Sequence, residues 1–278
     1  MGLPREFVVF DTETSGMPPG GRLVEIGAIR VRGGHVVDRF QRLVFPEGPI
    51  PEQVIAIHGI DDAMVADAPS ADEVLPEFLA WADRAPLLGH NVAFDARVLA
   101  CEAQRYGLPL PRNRMLCSLR AARRLLKRKS HALEALVDDL GLPRGTHHRA
   151  MEDAEHTLHL YWKMLELLGA ECSASAFETG RTLDGYFEEQ PSLPPSRGVL
   201  REAADHGEAV ELRYRGRTGS PFQALVTPRL FYRRGKSTFM EALCHHSGWY
   251  KSYRVDRVVA AQLRPEAAPA ELRRPSRP

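Results

Sequence analysis

Asp11 and Glu13 are carboxylates one residue apart at the end of the apolar run Val8-Val9-Phe10, and Thr12, Thr14, Ser15 and Gly16 stand between and after them. An apolar run that breaks into small polar residues and a glycine reads as a buried strand ending in a turn. Alternate side chains of a strand share a face, so Asp11 and Glu13 point the same way. Two buried carboxylates side by side resist ionising together unless a proton or a cation lies between them, and hard oxygen ligands at this spacing suit Mg2+ or Mn2+. A solvated strand end with capping acids is the alternative, since Asp and Thr are common in turns. Two further segments carry acids, His90-Asn91-Val92-Ala93-Phe94-Asp95 and His148-Arg149-Ala150-Met151-Glu152-Asp153-Ala154.

The elements that must position these residues follow from periodicity. Residues 23–31 read as a strand, Gly33-Gly34 as a turn and residues 35–44 as a second strand, which together make a hairpin. Glu25 reads as a polar residue on the outer face, with no chemistry assigned to it. A short helix over 51–57 ends at His58-Gly59-Ile60, and a longer one runs to about residue 82 with Ser70 and Glu73 at capping-box spacing. Leu87-Leu88 reads as a short buried strand and 93–106 as a helix with Asp95 in its first turn, where the helix dipole alone already favours an acid. A helix over 119–127 carries Arg120, Arg123, Arg124, Lys127 and Arg128 at three-to-four spacing, either a solvated face or a track for a phosphodiester backbone. Another amphipathic helix follows Ser130, and the last of this part spans 150–168.

Phe10-Asp11-Thr12-Glu13-Thr14-Ser15-Gly16, His90-Asn91-x-x-Phe94-Asp95 and His148-x-x-x-x-Asp153 occur in one order, and with them the chain resembles the DEDDh 3′→5′ exonucleases, the DnaQ-like branch of the ribonuclease H-like superfamily. The resemblance implies an α/β fold over residues 1–170, a ribonuclease H-like mixed sheet flanked by helices. It implies two Mg2+ or Mn2+ ions, with Asp11 bridging both, Glu13 and Asp153 completing the first site and Asp95 supporting the second. Cleavage of a phosphodiester by water needs an activated nucleophile and charge neutralisation, which two divalent ions supply. His148, five residues before Asp153 where His147 stands six before it, implies the acceptor of the proton from the attacking water, a task suited to an imidazole near neutral pH. Thr12, Thr14, His58, Asn91 and Phe94 are implied to grip the terminal nucleotide; for His58 a surface histidine before a helix-ending glycine is the alternative. The family usually has Thr where Ser15 stands, and the hydroxyl is kept.

Residues 171–197 turn Ser-, Gly- and Pro-bearing and read as a linker. In residues 198–278 a short helix precedes four β-like runs, 209–214, 222–231, 237–244 and 250–263, which suggest a small barrel. Val226-Thr227-Pro228-Arg229-Leu230, Met240-Glu241-Ala242-Leu243-Cys244 and Tyr253-Arg254-Val255-Asp256-Arg257-Val258 resemble WYL domains, which implies an SH3/Sm-like β-barrel that senses a small ligand or nucleic acid. Thr238-Phe239-Met240 stands where Trp-Tyr-Leu would name the domain. Arg254 and Arg257, with Tyr214, Phe239 and Tyr253, could hold a strand by charge and stacking, or the aromatics could fill a core.

At 278 residues and 44% hydrophobic the chain is long enough for two folded domains, and its composition excludes a fibrous or disordered protein. No apolar stretch approaches the roughly 20 residues that span a bilayer, so no membrane is expected. The early first strand leaves no room for a signal peptide, so a cytoplasmic location is expected. The four cysteines are scattered without a Cys-x-x-Cys pair, so neither a zinc ribbon nor a disulfide framework is indicated. Net charge is +1, but residues 1–172 hold 20 Lys+Arg against 24 Asp+Glu, and the remainder is basic. The expected function is a metal-dependent 3′→5′ exonuclease in DNA repair or processing. It would release nucleoside 5′-monophosphates, with single-stranded DNA favoured over RNA as partner. An RNA-processing exoribonuclease and a non-catalytic, ligand-sensing nucleic-acid-binding regulator are the alternatives.

Overall fold

A computed structural model describes residues 4–143, 148–216 and 219–275. The chain forms two compact units, Met1–Pro46 with Ile50–Phe187, and Glu47–Pro49 with Glu188–Pro278. In the first unit the opening apolar run is β1 (Glu6–Thr14), followed by β2 (Leu23–Arg32), β3 (His35–Leu43), α1 (Glu52–His58), α2 (Ala71–Ala82) and β4 (Leu87–Gly89). Then come α3 (Ala93–Tyr106), β5 (Arg114–Cys117), α4 (Ser118–Leu125), α5 (Leu133–Asp139), α6 (Ala150–Leu168), α7 (Ala174–Phe177) and β6 (Glu178–Thr182). The sheet order is β3-β2-β1-β4-β5-β6. β1, β4 and β5 run parallel, and the other neighbours are antiparallel. This is the mixed sheet flanked by helices that the sequence implied.

Alternation along β1 sorts the core. Val8 and Phe10 pack on one face of the sheet with Val74 and Phe78 of α2 and Leu99 of α3, whereas Phe7 and Val9 pack on the other with Leu158 and Tyr161 of α6. The same period sends Asp11 and Glu13 toward α6 and Thr12 toward α3. Glycine decides how near α6 can come. Asp11 pairs with Gly27 across β1 and β2, and a Cβ on Gly27 would lie 2.3 Å from the Met151 nitrogen and 2.4 Å from the Ala150 carbonyl carbon. Only a residue without a side chain lets the first turn of α6 rest on the sheet beside Asp11.

The stretch read as a linker over 171–197 is partly folded into the first unit. β6 pairs antiparallel with β5, Phe177 and Leu183 are fully buried, and Tyr186 is nearly so. Burying a side chain such as Phe177 contributes about 1.5–3 kcal/mol, which outweighs the weak propensity of its Ser- and Gly-rich neighbours. The linker expectation therefore fails for 174–187.

The second unit comprises α8 (Gly198–His206) and β7 (Ala209–Arg215), β8 (Pro221–Arg234), β9 (Ser237–Cys244), β10 (Trp249–Arg254) and β11 (Val258–Arg264). They form an antiparallel sheet of order β10-β9-β8-β7-β11, whose apolar face packs Leu200 and Ala203 of α8 against Val210, Phe231 and Met240. The expected barrel is not closed: among the described residues no ladder joins β10 to β11. The run expected as one strand over 250–263 breaks at a 3-10 turn, Val255–Arg257, and its halves lie on opposite edges of the sheet. Arg254 and Asp256 pair across that turn at 2.6 Å, and Val255 is buried. No helix among the described residues is long and apolar enough to cross a membrane.

Gly27→Ala forces backbone against backbone, and overpacking of this kind costs about 1–3 kcal/mol. Urea unfolding should show that loss. A variant as stable as the wild type would mean that α6 does not depend on this contact.

Candidate active site

Three elements converge at the carboxyl end of β1. Asp11 and Glu13 come from β1 itself and Asp153 from the first turn of α6, where its N–H donates to the Arg149 carbonyl at 3.0 Å. One carboxylate oxygen from each of the three lies within 4.8 Å of the others. Asp95, in the first turn of α3, stands outside this trio. Its Oδ1 accepts from the Thr12 N–H at 3.1 Å and from the Thr12 hydroxyl at 2.7 Å. β1 thus presents carboxylates on one face and, by the residue between them, holds a fourth from the other.

Electrostatics follow from this crowding. Burial pushes Asp11 well above the ordinary carboxylate range, and repulsion from Asp95, Asp153 and Glu13 adds to it. Glu13 is raised to about 8, first by burial and then by Asp153 and Glu25. Asp95 is raised to about 7 by burial, against the pull of its hydrogen bonds from Thr12. Acids that oppose one another's ionisation are the donor set that a hard divalent cation relieves, and three converging carboxylate oxygens fit such an ion.

Two buried acids that the sequence reading missed hold these elements in place. Glu25, fully buried and paired with Glu13 across β1 and β2, is not on the outer face. It accepts from Arg149 Nε at 3.0 Å and Nη2 at 2.7 Å, from the Ala150 N–H at 3.0 Å and from Gln41 at 2.9 Å. Burial raises Glu25, but the bonds from Arg149, Gln41 and Ala150 outweigh it and hold the group below its usual value. The start of α6 is thereby clasped to the sheet four residues before Asp153 ends its approach. Glu102 of α3, also fully buried, accepts from Arg22 Nε at 3.1 Å and the Leu23 N–H at 2.8 Å and pairs with Arg105 at 3.1 Å, tying α3 to the start of β2. His156 is a third addition, its Nδ1 3.4 Å from Asp153 Oδ1. Neighbours across strands and between helices make these contacts, and no local motif marks them.

The other implied residues divide. His148 has φ 61°, donates its backbone N–H to Asp153 Oδ2 at 3.2 Å and leaves its ring 47% exposed, with Nε2 3.7 Å from Glu134 Oε1. It therefore borders the trio with a ring directed at Glu134. His147 lies outside the described residues. His58 is buried, and its Nδ1 accepts from the Ile60 N–H at 3.0 Å, so its ring packs beneath the end of β1 rather than facing solvent. Thr14 is buried and donates its hydroxyl to the Gly16 carbonyl at 2.9 Å. Asn91 is exposed in the left-handed region at φ 63°, and Phe94 is half-buried against the α2–α3 core, so these two edge the site. In the second unit Arg254 is bound by Asp256, Arg257 is half-buried, and Tyr214 and Tyr253 meet edge-to-face within the core. Those two tyrosines are core residues, not a stacking surface.

Comparison with known proteins places this geometry. The family model described as Exonuclease matches residues 8–161, and the one described as WYL domain matches residues 197–263. DNA polymerase III PolC-type of Caldanaerobacter subterraneus subsp. tengcongensis is 39% identical over 168 residues, 60% of this chain and 12% of that protein. A Mycobacterium tuberculosis protein named for a proposed bifunctional exonuclease/endonuclease activity is 34% identical over 223 residues, 77% of this chain and 34% of its own length. The chain thus spans only a minor part of these two relatives. Among solved structures, Exonuclease X in complex with 5′ overhanging duplex DNA is 33% identical, with a TM-score of 0.50, and the match covers 61% of this chain and 98% of that one.

Two outcomes follow. Glu13, with a reference value of 4.5 raised to about 8, contributes stability fully present below 4.5 and lost as pH rises through 8. In EDTA, the difference in calorimetric stability between wild type and Glu13→Gln should fall across that window. Mn2+ should reverse the trend, because cation uptake releases protons; a flat difference curve would refute the raised value. Removing the Glu25 carboxylate by Glu25→Ala strands Arg149 and the Ala150 N–H, at a cost of about 3 kcal/mol in urea unfolding. Loss of cation uptake in the still-folded fraction would separate its positioning role from stability alone.

Proposed function

The chain belongs to the exonuclease family, and from that premise we propose that it removes nucleotides one at a time from the 3′ end of single-stranded DNA, releasing nucleoside 5′-monophosphates. The observation that carries this reading is the convergence of Asp11, Glu13 and Asp153 within 4.8 Å, with Asp95 held beside them by Thr12. DNA is favoured over RNA because two of the relatives above 30% identity name DNA, one as a DNA polymerase III and one as Exonuclease X in complex with duplex DNA.

The chain's own residues divide the work. Asp11, Glu13 and Asp153 would hold Mg2+ or Mn2+, which when bound supplies charge neutralisation at the phosphoryl group and a water that deprotonates near neutral pH. Asp95, fixed by two hydrogen bonds from Thr12, would help hold a second ion. His148 stands on the turn into α6, joined to Asp153 through its backbone while its ring can rotate, and accepts the proton from the attacking water. Asn91 and Phe94, just before Asp95 in the chain, would grip the terminal nucleotide, the ring by stacking and the amide by hydrogen bonds. Thr12, Thr14 and His58 act beneath the nucleotide by fixing the end of β1. The second unit, in this reading, recruits nucleic acid or senses a ligand.

Digestion of 5′-labelled single-stranded DNA and RNA of one sequence with Mn2+ tests the proposal. A ladder shortening from the 3′ end of DNA, reduced about a thousandfold or more by Asp11→Ala, is expected. Shortening of RNA alone would move the assignment to an exoribonuclease. No shortening of either would refute the exonuclease reading.

A further inference from the structure

No Asp or Glu occurs between Glu102 and Glu134, in a part of the chain that is otherwise acid-rich. Arg120, Arg123, Arg124, Lys127, Arg128 and Lys129 fall in that interval, and all six are exposed on α4 and the loop after it. Arg128 pairs with Asp139 at 3.1 Å. The other five make no ion pair among the described residues. A solvated helix face ordinarily interleaves both signs, which i,i+3 and i,i+4 pairs then stabilise. Here the opposite face, Ala121 and Ala122, is fully buried against the α6 side of the sheet, so the cations project from one ridge.

The ridge borders the carboxylate site on two sides. α4 starts at Ser118, directly after β5, and β5 runs parallel to β1 and β4, so the helix begins at the sheet end where Asp11 and Glu13 lie. His90, five residues before Asp95, is clamped between the ends of the ridge: its Nδ1 meets Ser118 Oγ at 2.9 Å and its Nε2 the His131 carbonyl at 2.9 Å. Burial, with Arg123 nearby, holds His90 down to about 4, so the clamp is a neutral ring. Past the ridge, Glu134 in the first turn of α5 lies 3.7 Å from the His148 ring. The charged segment therefore runs from the Asp95 edge of the site to its His148 edge.

We propose that this ridge binds the phosphodiester backbone of the strand beyond the nucleotide being removed. The inference rests on the exonuclease reading and deepens it. Side chains three and four apart on a helix are about 5–6 Å apart, a spacing at which long cationic side chains reach successive phosphates. Arginine predominates along α4, and its planar fork matches phosphate oxygens better than an ammonium does. An acidic protein partner is the competing occupant. The position of the ridge beside a site for phosphodiester chemistry favours nucleic acid.

The test compares wild type, Arg120→Ala/Arg123→Ala/Arg124→Ala and Arg120→Lys/Arg123→Lys/Arg124→Lys in the full chain, on DNA strands that share a 3′ sequence and differ only in length. For wild type, KM should fall as the strand grows from a dinucleotide to a 20-mer. In the alanine variant that gain should shrink about tenfold, with kcat on the long strand unchanged. The slope of log KM against log salt should also fall by about 2, from ~0.7 per lost single-strand phosphate contact. The lysine variant should keep the slope. Anisotropy of a labelled 20-mer in Ca2+ reads the same slope without turnover. A wild type that binds with the expected salt slope but digests nothing supports the ridge and refutes the exonuclease reading. Equal effects on dinucleotide and 20-mer, or an unchanged slope, overturn the ridge and leave the exonuclease reading standing.

Discussion

Mutual repulsion of buried carboxylates is the constraint on which this structure turns. Asp11, Glu13 and Asp153 present oxygens within 4.8 Å of one another. At an effective dielectric of about 20, each ionised pair at such a distance costs roughly 3–4 kcal/mol. A domain's whole stability is about 5–15 kcal/mol, so a cation-free site cannot keep all its acids charged and must hold protons instead. Burial is the larger cause of the raised values of Asp11, Glu13 and Asp95, and this repulsion adds to it. Holding such a cluster together requires contacts stronger than its repulsion, and these are found one layer out. Gly27 admits the backbone of α6, the Glu25 clasp fixes the start of that helix, and Glu102 with Arg22 and Arg105 fixes α3.

The division between what the sequence reveals and what it conceals follows the range of the interactions. Asp11 and Glu13 are readable because strand alternation is local, and α3 and α6 fall where their periodicity puts them, at Ala93–Tyr106 and Ala150–Leu168. Glu25 is not readable. Its strand looks like any hairpin strand, and its burial depends on Arg149, 124 positions away in the chain. Gly27 is equally silent, because nothing beside it says that a helix terminus will lie on its α-carbon. His58 reads in sequence as a substrate contact or a surface histidine, yet the fold buries it, with its Nδ1 accepting from the Ile60 N–H.

Strand alternation governs the second unit as well. Met240 sits in the core, and Phe239 stacks on Tyr232 at 5.5 Å and 7° on the other face of the sheet. Two successive residues of the Thr238-Phe239-Met240 tripeptide thus serve opposite faces, as strand alternation demands. Read as sequence, Tyr214 and Tyr253 could be stacking surface or core. Their burial and the hydrogen bond from the Arg254 N–H to the Tyr214 hydroxyl at 3.0 Å settle them as core. Aromatic composition alone could not have decided this, because small sheets need aromatic filling as much as nucleic-acid binders need aromatic platforms.

A carboxylate cluster and a polyanion are mismatched partners, and this mismatch gives the basic ridge its physical reason. Every phosphate brought to Asp11 and Glu13 meets like charge, so the approach must be made favourable by something other than the acids themselves. Divalent cations held by Asp11, Glu13 and Asp153 would neutralise charge only close to those carboxylates. Phosphates further along the strand lie outside that short range, since exposed charges are screened within about 8–10 Å in physiological salt. A chain whose first 172 residues carry more acid than base would repel them, yet it concentrates Arg120, Arg123, Arg124, Lys127, Arg128 and Lys129 within ten positions at the border of the site. Spread evenly over the surface, those charges would offset the acids on average and attract the strand nowhere. Gathered on one ridge, they would give a net acidic unit one favourable path to its carboxylates.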